Sequence, residues 1–169
     1  MDGLECIYTR RAIRKYTDKK VSDEIIEKLL KAGMSGPSAV NEQPWYFIVV
    51  KDRKLLEGIP KASPYAQMAK DAAFAIVVCG EPKLQKIEGF WSQDCCIAAQ
   101  NILLAAHALG LGAVWTAAYP MQDRVDNLQK LFGIPKNIIP LCVIPIGYPA
   151  EKKEPVEKFK KERVHQDKW

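Results

Sequence analysis

Apolar residues recur with helical spacing in some stretches of the chain and with strand-like composition in others. Residues 21–34 place Ile26 and Leu29 on one face of a helix, and Ser22 stands at its start as a candidate N-cap. Residues 45–50 are all aromatic or β-branched, which favours a strand. The whole pattern predicts helices at residues 2–8, 21–34, 54–59, 65–70, 90–109 and 123–132, and strands at residues 45–50, 74–79, 113–117 and 138–146.

Two of the predicted strands differ in their implications for the sheet. Residues 74–79 are apolar on both faces, so this strand should be central. Residues 138–146 contain Pro140 and Pro145, and proline cannot donate a backbone hydrogen bond to a neighbouring strand. We therefore expect the last strand to be irregular or to lie at an edge.

Residues 90–109 predict the longest helix, and this helix is apolar nearly all round. At ~1.5 Å per residue it would be about 30 Å long, which a domain of this size struggles to cover on all sides. Either a dimer interface completes its burial, or the helix lies in the centre of the core. The pattern leaves both arrangements open.

The composition of the chain changes near residue 150. Residues 1–149 have the balance of one globular domain, whereas residues 150–169 are highly charged and nearly devoid of core residues. We interpret residues 150–169 as a C-terminal extension that is either disordered or docked on a partner subunit.

Charge and cysteine content narrow the classes of function. The net charge of +5 suits an anionic ligand but is also typical of a solvated basic surface, and no clustered basic helix or aromatic platform supports nucleic-acid binding. The five cysteines form no CxxC pair and neither histidine has ligand spacing, which predicts buried reduced thiols and no metal site. No signal peptide or membrane-spanning stretch is recognisable, so we expect a soluble, cytoplasmic protein.

Residues 10–16, with the sequence RRAIRKY, form a basic stretch in extended chain. Side chains alternate along an extended segment, so Arg10 and Arg14 would point to the same side as Ala12 between them. Two guanidinium groups around a small residue can cradle a phosphate, because their planar forks match its oxygens. A solvated surface is the competing interpretation of the same residues.

Three further segments offer polar backbone or charge. The loop at 36–45, GPSAVNEQPW, supplies a hydroxyl and two amides between a helix and a strand. The segment at 109–117, LGLGAVWTA, ends a long helix in glycines and leads into a short strand, and the tail contains FKKERVH at 159–165. Taken singly, these segments are also explained as a turn, a helix stop and a solubilising tail.

Together and in this order, the four segments resemble the flavin-dependent nitroreductase family. RRAIRKY is similar to the family's opening R-R-S-x-R-K-[FY], PSAVNEQPW to its P-S-x-x-N-x-Q-P-W loop, and QDCCIAAQNILLAAHALGLGAVW to its central helix and following strand. The resemblance spans nearly the whole chain, which is short for the family. It implies an α+β fold with a mixed, mainly antiparallel sheet flanked by helices, an intertwined homodimer, and FMN bound at the dimer interface.

The resemblance also implies which residues hold FMN. Arg10, Arg11 and Ala12 would hold its phosphate end, and Lys161 and Arg163 of the tail would complete that site. Ala12 stands where the family often has serine, so a hydroxyl contact is lost here. The other implied contacts are Arg14 and Gln67 near the flavin pyrimidine, Trp115, Thr116 and Ala117 against one flavin face, and Pro37, Ser38, Ala39 and Asn41 from the partner subunit.

The activity implied by the resemblance is an oxidoreduction that needs no catalytic side chain, because the flavin N5 performs the chemistry. NAD(P)H would give hydride to N5, and a small organic acceptor such as a nitroaromatic, a quinone or another flavin would then take its place, in a ping-pong sequence. The alternative is a flavin-binding carrier or redox sensor without efficient turnover, which only kinetics separates from the enzyme.

Overall fold

The computed structural model describes residues 1–169, and the predicted helices and strands are present with ends shifted by a few residues. Residues 65–70 fall in a 3₁₀ helix rather than an α-helix, and the hydroxyl of Ser22 makes no capping hydrogen bond. The α-helices are α1 (Gly3–Thr9), α2 (Asp23–Met34), α3 (Arg53–Ala62), α4 (Trp91–Ala108) and α5 (Gln122–Phe132). The strands are β1 (Trp45–Val50), β2 (Phe74–Gly80), β3 (Gly112–Ala113), β4 (Thr116–Ala117) and β5 (Ile139–Gly147). The 3₁₀ helices are Ala39–Asn41, Pro64–Asp71, Pro82–Leu84 and Lys161–Arg163.

All five strands join one antiparallel sheet with the order β1-β2-β5-β3, in which β4 also pairs with β5. A single parallel bridge, between Ala12 and Ala113, joins the basic residues 10–16 to the edge of β3. Every residue of β2 is buried, as its apolar composition predicts for a central strand. The α+β class with a mainly antiparallel sheet is thereby confirmed.

The expected edge position of the last strand is wrong, because β5 lies between β2 on one side and β3 and β4 on the other. Its prolines are accommodated where the pairing is irregular. Pro140 lies opposite Cys79, at a register shift in β2. Pro145 lies opposite the gap between β3 and β4, and its carbonyl accepts a hydrogen bond from the hydroxyl of Tyr16 at 3.1 Å. No neighbouring strand therefore needs the N–H that Pro145 lacks.

The strand predicted at 113–117 is also interrupted. It forms the two-residue strands β3 and β4, and the intervening Val114 and Trp115 pair with no strand. This gap leaves main-chain groups of the segment outside the sheet ladder. The gap coincides with the flavin contacts that the family resemblance implies at residues 115–117.

The sheet separates two apolar layers that bury alternate residues of β2. Phe74, Ile76 and Val78 pack with α2 and α4, and Val77 between them packs with α3 and α5 on the other face. α4 buries one face in the first layer and leaves Ile97 37% exposed on its opposite side. None of the helices is both long and apolar enough to cross a lipid bilayer.

Candidate functional site

The basic segment, residues 10–16, is pinned to β3 on one side. The N–H of Ile13 donates to the carbonyl of Ala113 at 3.1 Å. Gly112 makes this approach possible, because a Cβ there would lie 2.5 Å from Cγ2 of Ile13. The sequence prediction of an extended segment is confirmed, and its position follows from a glycine that is needed for close packing.

On its other side the basic segment is tied to the start of the C-terminal extension. The N–H of Arg14 donates to the carboxylate of Glu151 at 2.6 Å, and the ammonium group of Lys153 donates to the carbonyl of Ala12 at 2.8 Å. The Arg14 N–H is the main cause that lowers the pKa of Glu151. Lys153 could not be predicted from the sequence, because a lysine in a charged tail carries no signal of its own.

Positive charge in this segment is left without partners. Arg10 is half-buried, and its guanidinium makes no hydrogen bond or salt bridge in the protomer, nor does the side chain of Arg14. Burial first, and then the charge of Arg11, lower the pKa of Arg10, although a guanidinium remains protonated at neutral pH. Arg11 itself donates to the carbonyl of Glu154. The unused donors and the uncompensated charge fit an anion such as a phosphate.

The segment at 115–117 contributes main chain rather than polar side chains. Thr116 is buried, and its hydroxyl donates to the carbonyl of Val143 at 2.7 Å, so this side chain is committed to the sheet. Trp115 and Ala117 are half-buried. Because Ala113 is bridged to Ala12, this segment begins directly beside the basic segment.

Arg124 forms a corner of the site that the sequence did not reveal. Its guanidinium donates to the carbonyl of Ala117 at 3.2 Å and lies over the ring of Tyr65, 4.8 Å from the centroid. Gln67 belongs to the same 3₁₀ helix as Tyr65, and its amide donates to the carbonyl of Pro64 at 3.1 Å. Arg124 thus links the 115–117 segment to Tyr65, two residues before Gln67. An arginine in the first turns of an amphipathic helix is indistinguishable in sequence from a solubilising one.

The 38–43 loop lies beside the opposite end of α4. The N–H of Ala39 donates to Asp94 in the first turn of α4 at 3.0 Å. Val40, Asn41 and Gln43 all have φ in the left-handed region, at 43°, 56° and 46°. For the β-branched Val40 this is an outlier, of the kind that costs on the order of 1–3 kcal/mol and persists only where surrounding contacts impose it.

The implied residues therefore fall into separate groups within one protomer. The basic segment and the 115–117 segment are connected around β3 and β4, and Arg124 connects the latter to Tyr65, in the 3₁₀ helix that contains Gln67. Pro37, Ser38, Ala39 and Asn41 are not, because their loop meets α4 at Asp94, whereas α1, just before the basic segment, meets α4 at His107. Thirteen residues of helix separate these two positions, about 20 Å at ~1.5 Å per residue. Lys161 and Arg163 are exposed and their side chains make no bond to the basic segment.

Four of the five cysteines are buried, and all five are free thiols. The exception to the predicted burial is Cys96, which is exposed on α4. Burial raises the pKa of Cys79 to about 12, and it raises the pKa of Cys95 and Cys142 as well. These three thiols are therefore protonated and poor nucleophiles near neutral pH.

Comparison with known proteins identifies the family. The sequence profile of the nitroreductase family matches residues 7–64 and 60–148. A protein of Methanothermobacter thermautotrophicus, provisionally named NADH dehydrogenase/NAD(P)H nitroreductase, is 58% identical over 169 residues, which is 100% of this chain and 88% of that protein.

Two solved structures extend the comparison. The FMN-dependent nitroreductase of Clostridium difficile is 29% identical with a TM-score of 0.91, covering 98% of this chain and 99% of that one. A protein of Desulfovibrio desulfuricans, provisionally named a nitroreductase and solved in complex with FMN, is 30% identical with a TM-score of 0.85, covering 100% and 99%. Sequence and fold agree, and the chain belongs to the nitroreductase family.

Proposed function

We propose that this protein is an FMN-dependent NAD(P)H oxidoreductase that works as a homodimer. Relatives named as FMN-dependent nitroreductase, as oxygen-insensitive NADPH nitroreductase and as FMN reductase support the cofactor and the class of reaction. A small organic molecule, such as a nitroaromatic, a quinone or a flavin, would be the electron acceptor.

The observation that carries this proposal is the unpaired, half-buried guanidinium of Arg10 beside the interrupted β3–β4 segment. A cation that is partly desolvated and has no acceptor is unfavourable alone, and a bound phosphate would supply both charge and oxygens. The gap at Val114 and Trp115 leaves main-chain groups free directly after Ala113, which is bridged to Ala12 of the basic segment. A phosphate attached to a flat, mostly apolar ring system matches this combination.

In this proposal each group of residues has a separate task. Arg10 and Arg11 hold the phosphate with the backbone at Ala12, and Lys161 and Arg163 of the extension close over it. Arg14 and Gln67 face the polar edge of the flavin, where a positive charge stabilises a reduced, anionic ring. Trp115, Thr116 and Ala117 form a wall along one flavin face, with Thr116 contributing only main chain. FMN, when bound, accepts hydride from a reduced nicotinamide at N5 and passes electrons on to an acceptor.

The distance between the two groups of implied residues supports the homodimer. If two copies pack their α4 helices antiparallel about a two-fold axis, the 38–43 loop of one copy reaches the basic segment of the other. The outer face of α4 and the neighbouring α1 expose apolar residues that such a contact would cover, namely Leu4, Ile7, Tyr8 and Ile97. The extension also exposes Val156 and Phe159, which suits docking on the partner subunit.

The proposal is tested by the colour, mass and reactivity of the purified protein. We expect a yellow dimer in analytical ultracentrifugation, with one FMN per chain, whose 450 nm absorbance is bleached when NADH or NADPH is mixed in anaerobically. Steady-state rates at several fixed acceptor concentrations should give parallel double-reciprocal lines, as expected for ping-pong turnover. A flavin that stays oxidised with both donors would favour a flavin carrier or sensor instead. A colourless monomer would overturn both the cofactor and the dimer.

A further inference from the structure

Two carboxyl groups are buried beneath the 38–43 loop. Asp94, in the first turn of α4, is 3% exposed, and Glu42, at the end of the loop's 3₁₀ helix, is 8% exposed. One oxygen of each is hydrogen-bonded to main chain: Asp94 Oδ1 accepts from Ala39 N–H at 3.0 Å, and Glu42 Oε2 accepts from Lys86 N–H at 2.7 Å. The remaining oxygens, Asp94 Oδ2 and Glu42 Oε1, are buried without any donor in the protein.

Two ionised carboxylates in this position would repel each other with no donor to compensate. Burial, followed in part by the neighbouring Glu42 carboxyl, raises the pKa of Asp94, whereas the Ala39 N–H lowers it. The adjoining ammonium group of Lys86 donates to the carbonyl of Val40 at 3.3 Å and to neither carboxylate.

The other titratable groups packed near the pair are thiols. Cys95 follows Asp94 on α4 and contacts the carbonyl of Cys79 on β2. Burial raises the pKa of both thiols, so they are neutral and supply no charge to the pair. Neither the thiols nor the lysine therefore accounts for the two unpaired carboxyl oxygens.

We propose that Asp94 and Glu42 share one proton, and that this acid pair is the positioning element that fixes the 38–43 loop for the cofactor. The proton lies between Asp94 Oδ2 and Glu42 Oε1, satisfies both oxygens and leaves one negative charge in place of two. Because the outer oxygens are bonded to Ala39 and Lys86, the pair ties the loop to α4 and to the chain beyond β2. The role toward FMN rests on the proposed function, in which this loop contacts the cofactor of the partner subunit.

Amide substitutions test the shared proton directly. In Glu42→Gln the amide can still accept from Lys86 N–H and donate its own N–H to Asp94, and Asp94→Asn makes the converse pair. In the double variant, two NH₂ groups face each other. We expect each single variant to keep a Tm within a few degrees of the parent and the double variant to lose about 5–10 °C, a non-additivity that simple packing would not produce. Glu88→Gln, on an exposed loop residue, is the matched control.

The positioning role is tested by FMN release from the purified protein, followed by flavin fluorescence on dilution from about pH 4, near the ordinary pKa of an aspartate, to about pH 10. A group whose pKa is raised on folding stabilises the fold while it is protonated, and that contribution is lost as pH rises through the raised pKa. We therefore expect the parent to release more FMN and to unfold at lower temperature as the pH rises, and both single amide variants to show a flatter response. Asp94→Ala, which leaves Ala39 N–H without an acceptor, should release FMN about ten-fold faster at neutral pH.

The outcomes separate the parts of the inference. Single variants as damaging as the double, or a stoichiometric divalent cation detected by mass spectrometry and removed by chelator, would overturn the shared proton. If the Tm losses of the single and double variants are non-additive as expected but FMN release is unchanged, the positioning role alone would be overturned. A protein without FMN would defeat the proposed function, while the Tm cycle would still decide on the acid pair.

Discussion

The two ends of α4 hold contrasting polar surfaces. At the carboxyl end, the basic segment presents Arg10 and Arg14 with no acceptors for their side chains. At the amino end, the carboxyl groups of Glu42 in the 38–43 loop and of Asp94 on α4 are buried, and they accept hydrogen bonds from the N–H groups of Lys86 and Ala39. The first end keeps positive charge that no acceptor of the chain compensates, whereas the second end is held in place by hydrogen bonds within the chain. The two ends should therefore fail in different ways when perturbed.

The largest expected effect comes from displacing the basic segment as a whole. In Gly112→Ala the new Cβ would lie 2.5 Å from Cγ2 of Ile13 and 2.8 Å from its Cβ, so the segment must move away from β3. Overpacking of this kind costs about 1–3 kcal/mol. We expect that loss of stability in denaturant titration at fixed protein concentration, together with loss of most bound FMN. Gly3→Ala, where a Cβ meets nothing within 4 Å, is the control. Unchanged FMN content in Gly112→Ala would show that the basic segment is not part of the FMN site.

The next effect separates charge from shape at the two ends. Arg10→Ala should weaken FMN binding by about 10–100-fold, because a hydrogen bond to a charged group contributes about 1.5–3 kcal/mol. Ser38→Ala removes a hydroxyl that accepts from Gln43 N–H at 3.1 Å, and should weaken binding by no more than about ten-fold, as for a neutral hydrogen bond. Of the two alanine variants, only Arg10→Ala should flatten the dependence of binding on salt, measured by flavin fluorescence quenching, and Arg10→Lys, which keeps the charge, should retain that dependence. Equal effects of the two alanine variants would mean that the two ends do not differ in this way.

The contrast also explains how far the sequence predicts the structure. The helix faces, the all-apolar β2 and the extended basic segment follow from local patterns, because each is encoded by residues that are neighbours in the chain. The edge position expected for β5 failed, since Pro145 is tolerated by a gap between β3 and β4 that only the tertiary pairing creates.

The same limit applies to the candidate site. Arg10 and the 38–43 loop could be predicted through their resemblance to family motifs. Arg124 and Lys153 could not, because each is bonded to a main-chain carbonyl, of Ala117 seven residues away and of Ala12 141 residues away, and a carbonyl carries no sequence signal. The Asp94–Glu42 pair was missed for a related reason: two acids 52 residues apart carry no mutual signal until the fold buries them together.

The smallest expected effect is on the pH dependence of stability, which should have opposite directions at the two ends of α4. His107, at the carboxyl end, lies 2.8 Å from the hydroxyl of Thr9, which itself donates to the carbonyl of Glu5, so the imidazole Nε2 carries the hydrogen between them. Burial, followed by the charge of Arg10, lowers the pKa of His107 below its ordinary 6.5.

A histidine with a lowered pKa in the folded state contributes stability above its unfolded value, and that contribution is lost as the pH falls below about 6.5. The free energy of unfolding should therefore decline toward acid at the carboxyl end of α4, while the acid pair at the amino end loses its contribution toward alkali. His107→Gln retains a donor for Thr9 without titrating, and should flatten only the acid limb of a Tm-versus-pH curve. His165→Gln, in the exposed tail, is the control and should leave both limbs unchanged. A His107→Gln curve that coincides with that of the parent below pH 6.5 would show that His107 does not make stability depend on pH. The pH dependence of Tm would then be assigned to the amino end of α4 alone.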